Sequence, residues 1–249
     1  TAMNEQRKYF WEGIRAEIPL LIGVFPFGMI YGALALDAGL SAAAAQMMSS
    51  MVFAGSAQFI TAQLAKDSTP GFVIVLTIAV VNLRHMLYSA SLAPYLASVS
   101  TRWKMLVSYL LTDEAYAPSI NHYENEGIKP FSHWFLFGAG AALWINWQIS
   151  TALGIFLGAA IPDSWSLDFA LPLTFIAMVV PVLKNRPAVT AALSAGCVAL
   201  AAYSLPYKLG LIVAALVGIA VGTFLEKRMK STSDEKLPIQ ANLRNSVDE

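Results

Sequence analysis

"VVNLRHMLYSASLAP", residues 80–94, decides how this chain is read. It lies inside residues 71–97, a run that is otherwise almost wholly apolar and small, yet it puts Asn82, Arg84 and His85 near the middle. At about 1.5 Å of rise per residue, Asn82 is roughly 17 Å into such a helix, which is the depth of a bilayer midplane. A charged side chain at that depth costs several kcal/mol, so it must face protein or water and have partners.

The surroundings support a membrane setting. Of 249 residues, 57% are hydrophobic and 13% charged, where soluble domains carry about 25% charged residues. Most of the charge sits near residues 5–17, in a loop near 121–129, and after Leu225. Apolar blocks with charged punctuation describe an all-α, polytopic membrane protein. Lys+Arg and Asp+Glu balance at 16 each, which leaves no electrostatic footprint for nucleic acid. Cys197 is the only cysteine, so an intramolecular disulfide is excluded and a thiolate zinc site is not expected.

Stretches of about 20 apolar residues fall at 18–36, 40–65, 71–97, 103–120, 133–161, 167–183, 187–205 and 208–225. Eight crossings with the N-terminus inside put twelve Lys and Arg residues, Lys66 among them, on cytoplasmic segments. Arg102, Lys104 and Lys208 are left outside, as the positive-inside rule prefers. The expected organisation is an N-terminal cytoplasmic or interfacial segment (1–17), a transmembrane domain (18–225) and an unordered cytoplasmic tail (226–249). Glu5, Glu12 and Glu17 make the leader unlike a cleavable signal. Thr1-Ala2 ahead of Met3 reads as an addition, with Met3 the native start.

An internal echo links the first and sixth spans. The first carries Pro19, Gly23, Pro26, Gly28 and Gly32, and the sixth Pro172 and Pro181; a small-residue helix follows each. An offset of five spans would make an inverted repeat whose Pro/Gly-broken helices mark a transporter site, which singles out Pro26 and Gly28. Similar composition alone would also produce the echo.

Partners for the buried cation lie in "YLLTDEAYAPS", 109–119. A hairpin turning near Ser100 brings Arg84 level with Asp113 or Glu114. Such a pair either pins helix register or binds a charged substrate and relays protons. A second carboxylate and His85 favour the latter, since a simple pin needs neither. In the second span Gln46, Ser50, Ala54, Gln58 and Thr61 recur at helical spacing, forming a small, polar stripe. Gln58 is thus a candidate substrate or water contact, and close packing is the plain alternative. Gly154-x3-Gly158 and Gly218-x3-Gly222 are packing motifs that could face a partner subunit. No P-loop is present, no cofactor is indicated, and no cluster has metal spacing. An intramembrane hydrolase using Ser56 and His85 lacks its G-x-S-x-G elbow.

The motifs "FPFGMIYG" (25–32), "FAGSAQF" (53–59), "NLRHMLYSASLAPYL" (82–96) and "LTDEAYA" (111–117) occur in order at suitable spacing. In these the chain resembles the AzlC family, the large subunit of branched-chain amino acid exporters, and most nearly its YgaZ-type members. The resemblance covers roughly residues 25–225. It implies export of L-valine across the bacterial inner membrane, with leucine, isoleucine and methionine as further candidates. It also implies coupling to an ion gradient, with the proton as candidate, and a small membrane subunit of the AzlD or YgaH type. A zwitterionic aliphatic substrate would need Arg84 or a broken-helix N-terminus for its carboxylate, and Asp113 or Glu114 for its ammonium. Phe25, Phe27, Phe53 and Phe59 could wall its side chain. A channel or scaffold subunit with purely structural buried charges is the competing expectation.

Overall fold

The computed structural model describes residues 2–158, 183, 185–203, 205 and 209–245, with side chains through 229. All regular structure among them is helical. The chain divides into two compact units, Thr1–Thr174 and Phe175–Glu249.

The first unit is built on two long helices, α1 (Ala2–Asp37) and α7 (His133–Gly158), which form its most extensive helix pair. Their seam is made by glycines. A Cβ on Gly13 would meet the Phe135 carbonyl, on Gly138 the Phe10 carbonyl, on Gly154 the Met29 carbonyl and on Gly158 the Ala33 Cα, all within 2.8 Å. Rising numbers on one helix meet rising numbers on the other, so the two run parallel. Small residues let the backbones approach this closely without a hydrophobic drive between helices. The motif at Gly154 and Gly158 therefore faces α1, not a partner subunit.

The expected break of the first span at its prolines does not occur. α1 runs unbroken through Pro19 and Pro26, and in the turn before Pro26 the Leu21 carbonyl accepts from Asn146 Nδ2 of α7, 3.4 Å. Residues 2–17 form the start of α1, with Tyr9 buried edge-on to His122.

The breaks lie elsewhere. The stretch 40–65 is two helices, α2 (Ala42–Met51) and α3 (Gly55–Lys66), and 103–120 becomes α5 (Thr101–Tyr109) and α6 (Asp113–Glu126). Each pair turns back on itself between its two short helices. α2 leaves the end of α1 under a Ser41 cap whose Oγ accepts from the Ala44 amide, 3.2 Å. The chain reverses at residues 52–54, where Phe53 has φ 43°, and α3 climbs back until Lys66 Nζ reaches Asp37 Oδ2 at 2.8 Å. Entry and exit are on one side of the unit. At 1.5 Å per residue, helices of 10 and 12 residues reach only about half of a 30 Å hydrocarbon layer.

α4 (Gly71–Leu92) then runs to the other side, and the second hairpin enters from there. α5 starts beside the end of α4, with Lys104 Nζ on the Ala97 carbonyl, 2.9 Å. It reverses at 110–112, and α6 returns alongside α4, Tyr116 stacking on Tyr88 and Tyr123 on Tyr95. Thr112 caps α6 by accepting from the Ala115 amide, 3.4 Å. At the exit Glu126 pairs with Lys129, whose hydrogen bond and charge hold the Glu126 carboxyl below the usual carboxylate range.

In the second unit, α8 (Arg186–Ala201) starts at an Asn185 cap whose Oδ1 accepts from the Ala188 amide, 2.8 Å. It packs against α9 (Leu209–Asn245). Gly218 and Gly222 of α9 abut Ala195 and Ala191 of α8, so this motif too is spent inside the unit. α9 continues past 225 as helix into the polar tail. The expected sixth span, with Pro172 and Pro181 and hence the inverted echo, lies outside the described residues. Among the described residues four helices are long and apolar enough to cross a membrane: α1, α4, α7 and residues 210–229 of α9.

Candidate functional site at two helix breaks

The two hairpins enter from opposite sides and their tips meet. Phe53 of the first packs against the Tyr109 ring of the second, the Tyr109 hydroxyl donates to the Ser50 carbonyl, and Trp144 Nε1 of α7 donates to that hydroxyl, 2.7 Å. Backbone freed by a break is tolerated at membrane depth when it is buried in protein in this way.

Arg84 of α4 stands at the junction. Its Nη2 donates to Ser56 Oγ at 2.9 Å and its Nη1 pairs with Asp113 Oδ2 at 3.2 Å. Ser56 is the second residue of α3 and Asp113 the first of α6, so one guanidinium bridges the N-termini of two broken helices. The ends differ in charge. α6 begins with Asp113 and Glu114, carboxylates where the helix dipole favours them. α3 begins at Ala54 with no side-chain cap, leaving its first amides and Arg84 as an electropositive tip. Arg84 Nε and Asn82 Oδ1 are buried with no hydrogen-bond partner among the described residues, whereas the Arg84 and Asp113 side chains keep 25% and 37% of their exposure. The cluster is half-open, with unused polar capacity.

Of the residues the sequence singled out, the structure gathers Arg84, Ser56, Asp113 and Glu114 around this junction, and Asn82 is half-buried two positions earlier on α4. His85 directly follows Arg84 on α4, with Nδ1 3.2 Å from the Asn82 carbonyl and its ring edge-on to Tyr88. Gln58 is fully buried one turn into α3; its Oε1 accepts from Trp147 Nε1 at 3.0 Å, and its Nε2 has no hydrogen-bond partner among the described residues. Pro26 is exposed on α1. Gly28 is a packing position, since a Cβ there would fall 1.9 Å from Ser150 Oγ; neither residue reaches the cluster. The continuous stripe from Gln46 to Thr61 is cut by the break. Gln46 bonds Gln148 Oε1 at 2.9 Å, and its neighbour Ser49 bonds Thr151 at 2.8 Å, tying α2 to α7. Phe59 packs on Tyr31.

The sequence reading missed Tyr109, Trp147 and Glu17. Glu17 is completely buried on α1; it stood just ahead of an apolar run and read as an interfacial charge.

A cavity of about 180 Å³ lies between α4, α5 and α7, lined by Ser89, Leu92, Leu96, Lys104, Val107, Leu111 and Leu136.

Comparison with known proteins identifies the relatives of this chain. The family model described as AzlC protein matches residues 19–161, which include the whole hairpin assembly. An uncharacterized membrane protein of Archaeoglobus fulgidus is 33% identical over 214 residues, covering 84% of this chain and 92% of the relative. Inner membrane protein YgaZ of Escherichia coli is 28% identical, over 86% of this chain and 87% of its own. The branched-chain amino acid transport protein AzlC of Bacillus subtilis is 29% identical, over 71% and 70%. No solved structure matches. With its motifs, its apolar helices and more than half its length inside the family model, the chain belongs to the AzlC family of membrane transport proteins.

Proposed function

We propose that this chain is the large subunit of a secondary transporter that exports branched-chain amino acids across the bacterial inner membrane. The observation that carries the reading is Arg84 joining the N-termini of two half-depth hairpins that enter from opposite sides. An amino acid is a zwitterion, and the two tips differ in charge accordingly. The uncapped α3 end with Arg84 suits the carboxylate, and Asp113 with Glu114 suits the ammonium. The cavity between α4, α5 and α7, lined mainly by leucine and valine, suits an aliphatic side chain of valine size. Displacing one hairpin opens the cluster to one side and displacing the other opens it to the opposite side, which is what alternating access requires.

Charge supports the orientation. In the first unit Arg7, Lys8, Arg15, Arg102, Lys104 and Lys129 lie at the N-terminal side and Lys66 at the other, so the N-terminus is cytoplasmic by the positive-inside rule. The basic cluster following the last span puts the C-terminus there too. Transport is driven by an ion gradient, the proton in our reading, and uses a small membrane subunit of the AzlD or YgaH type. Catalysis is not part of the reading: the group hydrogen-bonded to Ser56 is Arg84, while His85 turns to the Asn82 carbonyl.

The test is uptake of labelled L-valine by proteoliposomes holding the chain, with and without the small subunit, under an imposed pH gradient. Saturable, gradient-dependent flux that disappears in Asp113→Asn is expected. No flux from folded wild-type protein with its subunit would refute transport and leave Arg84–Asp113 as a helix pin.

A further inference from the structure

Glu17 raises a question that the Arg84 cluster does not answer. Its side chain is fully buried and neither carboxylate oxygen has a hydrogen-bond partner among the described residues. It lies one turn after Gly13, where α1 and α7 are in backbone contact through the Phe135 carbonyl. α1 packs against α6, and Gly140 of α7 touches Leu110 just ahead of α6, so Glu114, second residue of α6, lies within electrostatic reach of Glu17.

The other neighbours offer no relief. At this level α7 contributes residues 139–146, none ionisable. From α6, Asp113 is engaged by Arg84. α2 carries no charged residue, and the single cation of α3, Lys66, is at its far end on Asp37. A buried carboxylate without donor or counter-cation is too costly to keep ionised, and a second acid beside it adds to the cost. Something positive has to be held there.

We propose that the Glu17–Glu114 carboxyl pair is the proton-carrying site of this transporter, emptied when the substrate's ammonium arrives beside Asp113 and Glu114 and refilled when it leaves. The inference rests on the transport reading above and gives it a coupling mechanism. The pair accommodates one positive charge, as a proton on a glutamate Oε or as the adjacent ammonium. When the ammonium docks, the proton passes to water on the open side, so the positive charge beside the two carboxyls is conserved, while the substrate's carboxylate is met separately by Arg84 and the α3 N-terminus. Substrate and proton therefore occupy the site in turn and cross in opposite directions, which lets an inward proton gradient drive export. Substrate-coupled discharge is also a reason for Glu114 to sit next to the residue that pairs with Arg84.

The full chain with its small subunit, in lipid nanodiscs and weak buffer with a pH-sensitive dye, is titrated with L-valine, and bound valine is counted by radiolabel in the same samples. Wild type is expected to release a proton for each valine bound, and Glu17→Gln to lose that release per valine bound. Equal release per valine from wild type and Glu17→Gln overturns the proposal. A second measurement needs no variant: infrared difference spectra of wild type with carboxyl-labelled glutamate. A protonated-glutamate carbonyl band that vanishes on valine addition is expected, and its absence from the valine-free protein overturns the proposal. Valine binding without proton release sinks the proton site alone, whereas no valine binding to wild type sinks the transport reading and this inference with it.

Discussion

Substituting Gly154 by alanine tests the frame that holds both hairpins. A Cβ there would lie 2.0 Å from the Met29 carbonyl oxygen and 2.7 Å from its Cα. Both are backbone atoms, so no side chain can swing away. Ordinary contact begins at 3.4 Å, and α1 and α7 would have to part by about 1.4 Å at this point, loosening the contacts at Gly32 and Gly158 on either side. Overpacking costs about 1–3 kcal/mol, and a clash with backbone belongs at the upper end. Alanine returns up to about 1 kcal/mol of helix propensity. The net loss is about 2 kcal/mol, or roughly thirtyfold in the unfolding equilibrium. Reversible unfolding in mixed detergent micelles measures it. Gly23→Ala, on the same α1, is the internal control, because an added Cβ there has no atom within 4 Å; it should be neutral or slightly stabilising. If Gly154→Ala unfolds like Gly23→Ala, the parallel glycine seam is wrong.

Two further predictions use single residues. In a Cys197→Ser background, Lys104→Cys should be labelled by a membrane-impermeant thiol reagent from the same side as the N-terminus, and Lys66→Cys from the opposite side. Eight straight crossings require the reverse, so either result decides between hairpins and spans. Trp147→Phe removes the indole donor to the buried Gln58 Oε1. It should destabilise by about 1–3 kcal/mol, with Trp147→Phe plus Gln58→Met recovering most of the loss. Equal stability of the single variant and wild type would show that the bond contributes nothing.

The charged cluster was legible in the sequence because a membrane core makes every ionisable group conspicuous. Arg84 in an apolar run demanded an acid at the same depth, and "LTDEAYA" supplied one. What misled the reading was length. Residues 40–65 and 103–120 are long and apolar enough to cross, and nothing in hydropathy distinguishes a crossing from two half-length legs. The proline-based expectation failed for a related reason: Pro19 and Pro26 sit in a helix held along its length by α7, whereas the real reversals occur at residues 52–54 and 110–112, which contain no proline.

The sequence by itself determined the membrane setting, the helical class, the family and the need for an acid, Asp113 or Glu114, at the depth of Arg84. These follow from composition, motif order and the cost of burying charge, which depend on residue identity more than on arrangement. The tertiary structure decided that α1 and α7 run parallel, that the two hairpins enter from opposite sides, and that their tips meet on Arg84. It also moved Glu17 from an interfacial position to the interior. Such facts depend on which backbone groups find partners across the fold: Lys66 beside Asp37, Tyr109 on the Ser50 carbonyl, and glycines against carbonyls along the seam. Only the folded chain brings residues so far apart in sequence into contact, and those contacts turn two apolar stretches back on themselves.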